Sequence, residues 1–514
     1  MEQLSQGATR TRGAQSLRRA SSRVTRRDLL LSGAAAALMG GCAGPIGKLV
    51  APAESGTSAV ESASVSGRGV KRPLVGLVVN VPSAVFQTMQ AELRTAVPQL
   101  QVSKNSRFGG PPSKVPPPDA APSWWIEAAL IGFGTALGAD PNAVSLGPAL
   151  SLANFTGSSL LPGALAAVGN LESRLRDQLM PTRPVPLLVR YKASAFRAAG
   201  VELPQPGWTI DDFTRACTLL QDAITSGRLK ALGVDQVLYP LSRPGGSNLG
   251  NQYQTATLRS PLLWEAFILG YGGAIVEGGT AVHWDTGPAF QGIATLMDIF
   301  RRFAGGPAPK PNSVTATEQR SAMRLVYVWY LLPPDGATGL APGFAPFPQL
   351  PVHPSAPSDV QGVQLLYENR RQPRLWGSVV PQSAAGEEAA AAQIAVRYLT
   401  WLYAGPPQAL LASAGVPPIT VEALSQAPFW HKYGLGGPGV DVQFPYPWAP
   451  QANWVLGNAL GALAESYLND PASLKGQLRV WSANLTSGLA AANANQSSVV
   501  IQTNGGVARL TGPL

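Results

Sequence analysis

The stretch from Pro186 to Leu220, PLLVRYKASAFRAAGVELPQPGWTIDDFTRACTLL, constrains the fold more than any other part of the chain. It opens with an apolar run, Pro186-Leu187-Leu188-Val189, that ends at Arg190-Tyr191. A short helix is predicted over Lys192 to Ala199, closed by Gly200, and a Pro-rich connector follows from Leu203 to Gly207. Thr209, with Asp212 three residues on, is a capping-box-like start in which a carboxylate replaces the usual Glu. Phe213, Ala216, Cys217, Leu220, Ala223 and Ile224 then recur at helical spacing, and Gly227 ends the helix. A strand feeding two capped helices in this order predicts an α/β architecture.

At 514 residues the chain exceeds one ordinary core, so two or more lobes are expected. The first 41 residues are read as a leader and not as fold. Seven Arg, no Lys and only Glu2 and Asp28 precede the apolar run Leu29 to Gly41, which is too short to span a bilayer. Arg26-Arg27 is the twin-arginine pair of Tat export. Leu38-Met39-Gly40-Gly41-Cys42 resembles a bacterial lipobox, with Met39 for the usual Leu, which makes Cys42 the lipidated residue. The leader supplies half of the formal charge of +10, so the basic balance says little about partners. No basic cluster with interleaved aromatics points to nucleic acid. With Cys42 lipidated, Cys217 is the one remaining thiol, and its place on an apolar helix face marks it as core. Residues 42–71 are Ser/Ala/Gly-rich and read as a flexible tether.

The folded part is expected from Arg72. Pro73 to Val81 reads as a buried strand, Phe86-Met89-Leu93-Val97 as a helix, and Leu100-Gln101-Val102 as the next strand. Trp124-Trp125 is read as leading a helix that ends in Gly138. Phe290, Ile293, Met297 and Phe300 mark another helix. Glu387 to Tyr403 reads as a helix stopped by Gly405-Pro406-Pro407.

The ordered series Tyr191, Phe196, Ala199-Gly200, Pro206, Trp208-Thr209, Asp211-Asp212-Phe213 resembles the middle of the extracellular solute-binding proteins of ABC importers, in the sugar-binding, maltose-binding-protein-like family. The resemblance continues in order through most of 186–490, where it implies a helix with a Gly-Gly turn over Ser260 to Gly273, a hairpin holding His283-Trp284-Asp285, and strands over Ala322 to Leu331, Phe344 to Pro348 and Trp376 to Val380; it is loosest before that, where Asp140 to Leu146 resembles a family strand. It departs from the family at Lys192, where Asn is frequent, and at Asp212, where Glu is commoner. The resemblance implies a two-lobed, periplasmic-binding-protein-like fold of type II, with a cleft between lobes joined by crossover segments. The lobe boundaries it suggests are 72–185 for the first part of lobe 1, 186–310 for the first part of lobe 2, 311–375 for a return to lobe 1, and 376–514 for lobe 2 with C-terminal helices.

The chain offers little to an enzyme reading, and no catalytic residue is assigned. His283, His353 and His431 are far apart, so no common zinc spacing exists, and no metal or cofactor is expected. No Gly-x-Ser-x-Gly elbow or phosphate-cradling Gly-rich loop occurs. The carboxylate pairs Asp211/Asp212 and Glu387/Glu388 sit at predicted helix starts, where acidic residues favour the dipole.

The 12 tryptophans are the notable resource, since aromatic faces stack on sugar rings in concave sites. At positions matching the resembling family's cleft, the ligand-binding candidates are Trp329, Tyr330, Trp376, Asn453 and Trp454, with Trp264 added at the start of the Gly-Gly helix. Trp208 and Trp401 are assigned to packing. The resemblance implies a binding protein that captures a neutral solute, a carbohydrate, and delivers it to ABC permease subunits by hinge closure. It would be exported by the Tat translocase and anchored to the outer face of the cell membrane through Cys42. The alternatives are a surface-anchored glycoside hydrolase, or a binding-lobed sensor or scaffold without transport.

Overall fold

The computed structural model describes residues 74–77, 83–103, 124–130, 144–168, 178–234, 236–242, 253–255, 261–278, 281–305, 320–328, 343–352, 356–367, 385–436, 442–443, 474–493, 498–503 and 506–511, all within the body Gly67–Leu514. The chain begins with strand β1 (Leu74–Leu77), helix α1 (Ser83–Ala96), β2 (Leu100–Ser103) and β3 (Trp124–Leu130). Short helices α2 (Gly147–Leu152) and α3 (Ala164–Val168) precede the long strand β4 (Leu179–Tyr191). Next come α4 (Ala193–Ala199), α5 (Ile210–Thr225), α6 (Arg228–Ala231), β5 (Tyr239–Ser242), β6 (Tyr253–Thr255), α7 (Pro261–Gly270) and α8 (Gly287–Phe303). Strands β7 (Ala304–Gly305), β8 (Ser321–Val328), β9 (Gly343–Pro346) and β10 (Ala356–Tyr367) follow. Helices α9 (Ala385–Leu402), α10 (Gly405–Ser413), α11 (Val421–Ser425) and α12 (Pro428–His431) lead to β11 (Val442–Gln443), α13 (Leu474–Asn493) and a hairpin of β12 (Ser498–Thr503) and β13 (Gly506–Thr511).

One mixed sheet runs β2-β1-β3-β10-β4-β8-β5-β7, with β11 beside β10, β6 beside β8 and β9 beside β4. Strand β4 changes partners along its length. Residues Leu179 to Pro186 pair antiparallel with β10, from Gln364 to Ser358. From Leu187 on it pairs with β8 on one side, and from Leu188 on with β9 on the other.

The prolines of β4 fit this change. A proline has no N–H for a ladder, so it is tolerated where one edge of a strand is unpaired. Pro181, Pro184 and Pro186 all lie in the half for which β10 is the one partner among the described residues. The register shift at Gln361/Gly362 inserts one extra residue, Thr182, which brings Pro181 into the alternation of the other two. The half paired with β8, Leu187 to Tyr191, has no proline. Leu179 to Val189 are all buried, with α3 packed on β4 and on β10.

The helices divide between the two halves of the sheet. Helices α1, α2 and α9 pack together beside β1, and α10 packs on α1. Helices α5 and α8 pack on β5, and α7 packs on α8. Close approach here depends on Gly292, where a side chain would meet the Phe267 carbonyl of α7.

The central stretch forms as its residues suggest: α4 ends at Gly200 and α5 is followed by Gly227, both left-handed, with φ of 69° and 74°. Three readings are corrected. Trp124 to Leu130 is a strand, not the start of a helix, because pairing with β1 and β10 outweighs the helix preference of its alanines. Val144 to Leu146 is not a strand; the Val144 N–H bonds the Leu365 carbonyl at 2.9 Å and the chain then turns into α2. Gly405-Pro406-Pro407 ends α9 and also forms the first turn of α10, where a missing N–H costs nothing. The strand reading at 376–380 lies outside the described residues.

Candidate functional site

The crossing strand positions the groups of interest. At its end Tyr191 is half-buried and packs its ring on Phe196, with centroids 5.3 Å apart. Gly343 on β9 lies beneath that ring, and a Cβ there would enter it. Lys192 follows, held below its ordinary value by burial and by the neighbouring Arg190 charge.

Tyr433, just beyond α12, approaches Tyr191 closely enough to push its hydroxyl upward, after the larger effect of burial. Tyr433 belongs to a cluster in which Phe429 and Tyr433 are 5.5 Å apart and Trp430 and Tyr433 5.9 Å. The Lys432 ammonium sits 4.7 Å from the Phe429 ring and 4.9 Å from the Tyr433 ring. The segment carrying Tyr433 is fixed to the first half of the sheet's surroundings through α10 on α1 and through the Leu161 N–H on the Ile419 carbonyl at 2.9 Å. Tyr191 at the end of β4 and Tyr433 beyond α12 thus lie near enough to interact electrostatically. Two half-buried phenols beside a third ring can offer both a stacking face and hydroxyl hydrogen bonds.

The entrance to α5 is stitched to the segment after β9. The Trp208 indole N–H donates to the Pro346 carbonyl at 2.9 Å, and the Gln349 N–H donates to the Trp208 carbonyl at 2.8 Å. Trp208 is thus a packing residue, as its sequence context suggests. The capping box is complete: the Thr209 N–H donates to Asp212 Oδ2 at 2.9 Å, and the Asp212 N–H to Thr209 Oγ1 at 3.2 Å. Those bonds from Thr209, backbone first, hold the Asp212 carboxyl below its ordinary range, with Arg215 adding to them. Asp211/Asp212 and Glu387/Glu388 occupy first turns of helices.

Of the six ligand-binding candidates, Trp329, Tyr330, Trp376, Asn453 and Trp454 lie outside the described residues, as do Arg26, Arg27 and Cys42. Strand β8 ends at Val328, immediately before Trp329. Trp264 is described, and its placement differs from the expectation: it is 1% exposed, among the largest fully buried side chains. A ring with no open face cannot stack on a solute, so Trp264 is core. The reason is local: α7 is apolar nearly all round, and such a helix is buried on every side. The expected hairpin at 283–285 is bridged at Glu277 and Ala281 and leans on α13, with the Trp284 N–H on Ser482 Oγ at 3.0 Å.

Sequence reasoning missed two residues. Glu265 on α7 and Asp359 on β10 are both 0% exposed. Both oxygens of Glu265, and Oδ2 of Asp359, have no hydrogen-bond partner; Asp359 Oδ1 accepts the Val360 N–H at 2.7 Å. Burial pushes Asp359 up to about 8 against that bond, and burial with the Asp359 charge pushes Glu265 well above its ordinary value. The available signal was a single charge in Pro261 to Gly270, PLLWEAFILG. Cys217 is fully buried and its thiol is pushed far up, as suits a core residue. Among the described residues no group of three or more His, Cys, Asp or Glu is placed to hold a metal.

The fold is that of the two-domain solute-binding proteins of ABC transporters. An ABC substrate-binding protein of Listeria monocytogenes, solved in complex with cycloalternan, matches 82% of this chain and 99% of its own at a TM-score of 0.53 and 14% identity. Maltose-bound MalE3 of T. maritima covers 81% of this chain and 99% of its own at a TM-score of 0.49, also with 14% identity. No protein-family model and no curated protein matches the sequence.

Proposed function

We propose that this chain is a solute-binding protein that captures a neutral solute, a carbohydrate, between two lobes and delivers it to an ABC importer by hinge closure. The observation that carries this reading is β4, whose first half belongs to one part of the sheet and whose second half belongs to the other. A strand shared in this way is where two lobes can rotate about a few backbone torsions. The Listeria neighbour's cycloalternan supports a carbohydrate as the solute class. So do the rings of Tyr191, Phe429 and Tyr433 at the crossing, to which Trp329, Tyr330, Trp376, Asn453 and Trp454 are added as sequence candidates.

We further propose the lobe division at 185/186, one residue before the pairing of β4 passes from β10 to β8 between Pro186 and Leu187. The packing of α9 beside α1 and β1 favours placing 385–436 with the first lobe, in place of the boundary suggested at 376. Export through Arg26-Arg27 and lipid anchoring through Cys42 complete the proposal. Cys42→Ala would then release the protein from membranes into the soluble fraction.

The test of binding is a titration of the purified protein with mono- and oligosaccharides, followed by tryptophan fluorescence and Tm. A sugar that raises Tm with its concentration and is recovered unchanged supports capture, because a ligand of the native state stabilises by mass action. Cleaved sugar would establish the hydrolase. No response to any sugar would remove carbohydrate from the proposal.

A further inference from the structure

Glu265 and Asp359 come from different halves of the molecule. Glu265 lies on α7, which packs on α8 above β5 and β7. Asp359 lies on β10, opposite Val185 and three positions before the Gln361/Gly362 shift is passed, just short of where β4 changes partners. Helix α7 and strand β10 pack directly on each other. Two fully buried carboxyls, near enough for the charge of one to raise the other and with three oxygens unpartnered, cannot both be ionised at ordinary cost.

The other charges around the pair are few. On β4, Arg183 lies opposite Gln361 and by strand alternation shares the face of Asp359. On β3, Glu127 pairs with Gln364, five residues along β10. Helix α3 and strand β11, which also touch β10, carry no charge. On α8, Asp298, Arg301 and Arg302 pair with one another at the surface. The segment 343–352 beside α7 is uncharged.

We propose that Glu265 and Asp359 form a proton-holding pair that closes the junction between α7 and β10 and makes it pH-sensitive, loosening it when the proton is lost at alkaline pH. The direction follows from linkage. The folded state keeps a proton on Asp359 that the unfolded chain releases near 3.8, so stability is highest below that value and falls as pH rises to about 8. Above that it is level with respect to this group.

The test compares the full chain with Asp359→Asn and Glu265→Gln, without solute, so its outcome is separate from that of the binding proposal. Infrared difference spectra should show a protonated-carboxyl C=O band at pH 7 that titrates away above about pH 8 and is weakened in either variant. Wild-type Tm should fall by roughly 5 °C or more between pH 5 and pH 8, and Asp359→Asn and Glu265→Gln should each lose a share of that fall. If one variant fails to fold, the wild-type infrared titration and the other variant still decide. Absence of the band at pH 7 overturns the proposal. So does a wild-type Tm that rises with added CaCl2 or KCl but not in the variants, which would make the occupant a metal cation.

Discussion

Gly343 has no room for a methyl group, because Tyr191 lies over it. Gly343→Ala must therefore displace the phenol ring or spread β9 from β4, and the cost of such overpacking is about 1–3 kcal/mol. Urea denaturation measures it; a loss below ~0.5 kcal/mol would show that the ring swings aside freely. The same residue scale governs Tyr403, whose hydroxyl donates to the Pro181 carbonyl at 2.7 Å and ties α9 to the singly paired half of β4. Tyr403→Phe leaves that buried carbonyl unpaired, and a destabilisation of about 1 kcal/mol is expected. Solute affinity should be unchanged, since this bond lies within one half of the molecule and away from the Tyr191–Tyr433 meeting.

At the scale of elements, α5 depends on its first turn. Thr209→Ala removes the acceptor for the Asp212 N–H and one of the two Thr209 donors to Asp212 Oδ2, leaving the backbone N–H bond, so a loss of about 1 kcal/mol is expected at pH 7. The Asp212 carboxyl is held below its ordinary 3.8, so its contribution is present above that value and disappears as pH falls through the lower folded value. The gap between wild type and Thr209→Ala should then narrow at pH 3; a constant gap would mean the carboxylate takes no part. This helix was legible from residues because its signals are local: a cap, a 3.6-residue stripe and a glycine. Strand β3 was not, because WWIEAAL becomes a strand through partners about fifty residues before it and more than two hundred after it. Glu265 escaped notice for a related reason. A lone charge in an apolar helix reads as an exposed position until the helix is seen to be covered on all sides. The aromatic meeting of Tyr191 with Tyr433 also joins residues far apart in sequence, and no periodicity connects them.

At the scale of the whole molecule, the sheet is continuous although its two halves carry different helices. Leu188 to Tyr191 are paired on both edges and Leu187 with β8, while Leu179 to Pro186 have β10 as their described partner. Opening that starts at the crossing must first break the singly paired half, whereas opening of the doubly paired half requires separation from β8 and β9 together. Native-state hydrogen exchange should accordingly protect the amides of Leu188, Val189 and Arg190 more than those of Leu179, Met180 and Val185. Because one strand carries both halves, complete unfolding should still be a single cooperative event, with calorimetric and van't Hoff enthalpies in agreement. Two resolved transitions, with the amides of Leu187 to Tyr191 surviving the first, would instead mean that the helices of each half, and not the shared strand, set the unit of cooperativity; the hinge proposed at Pro186 would then separate two independently stable lobes.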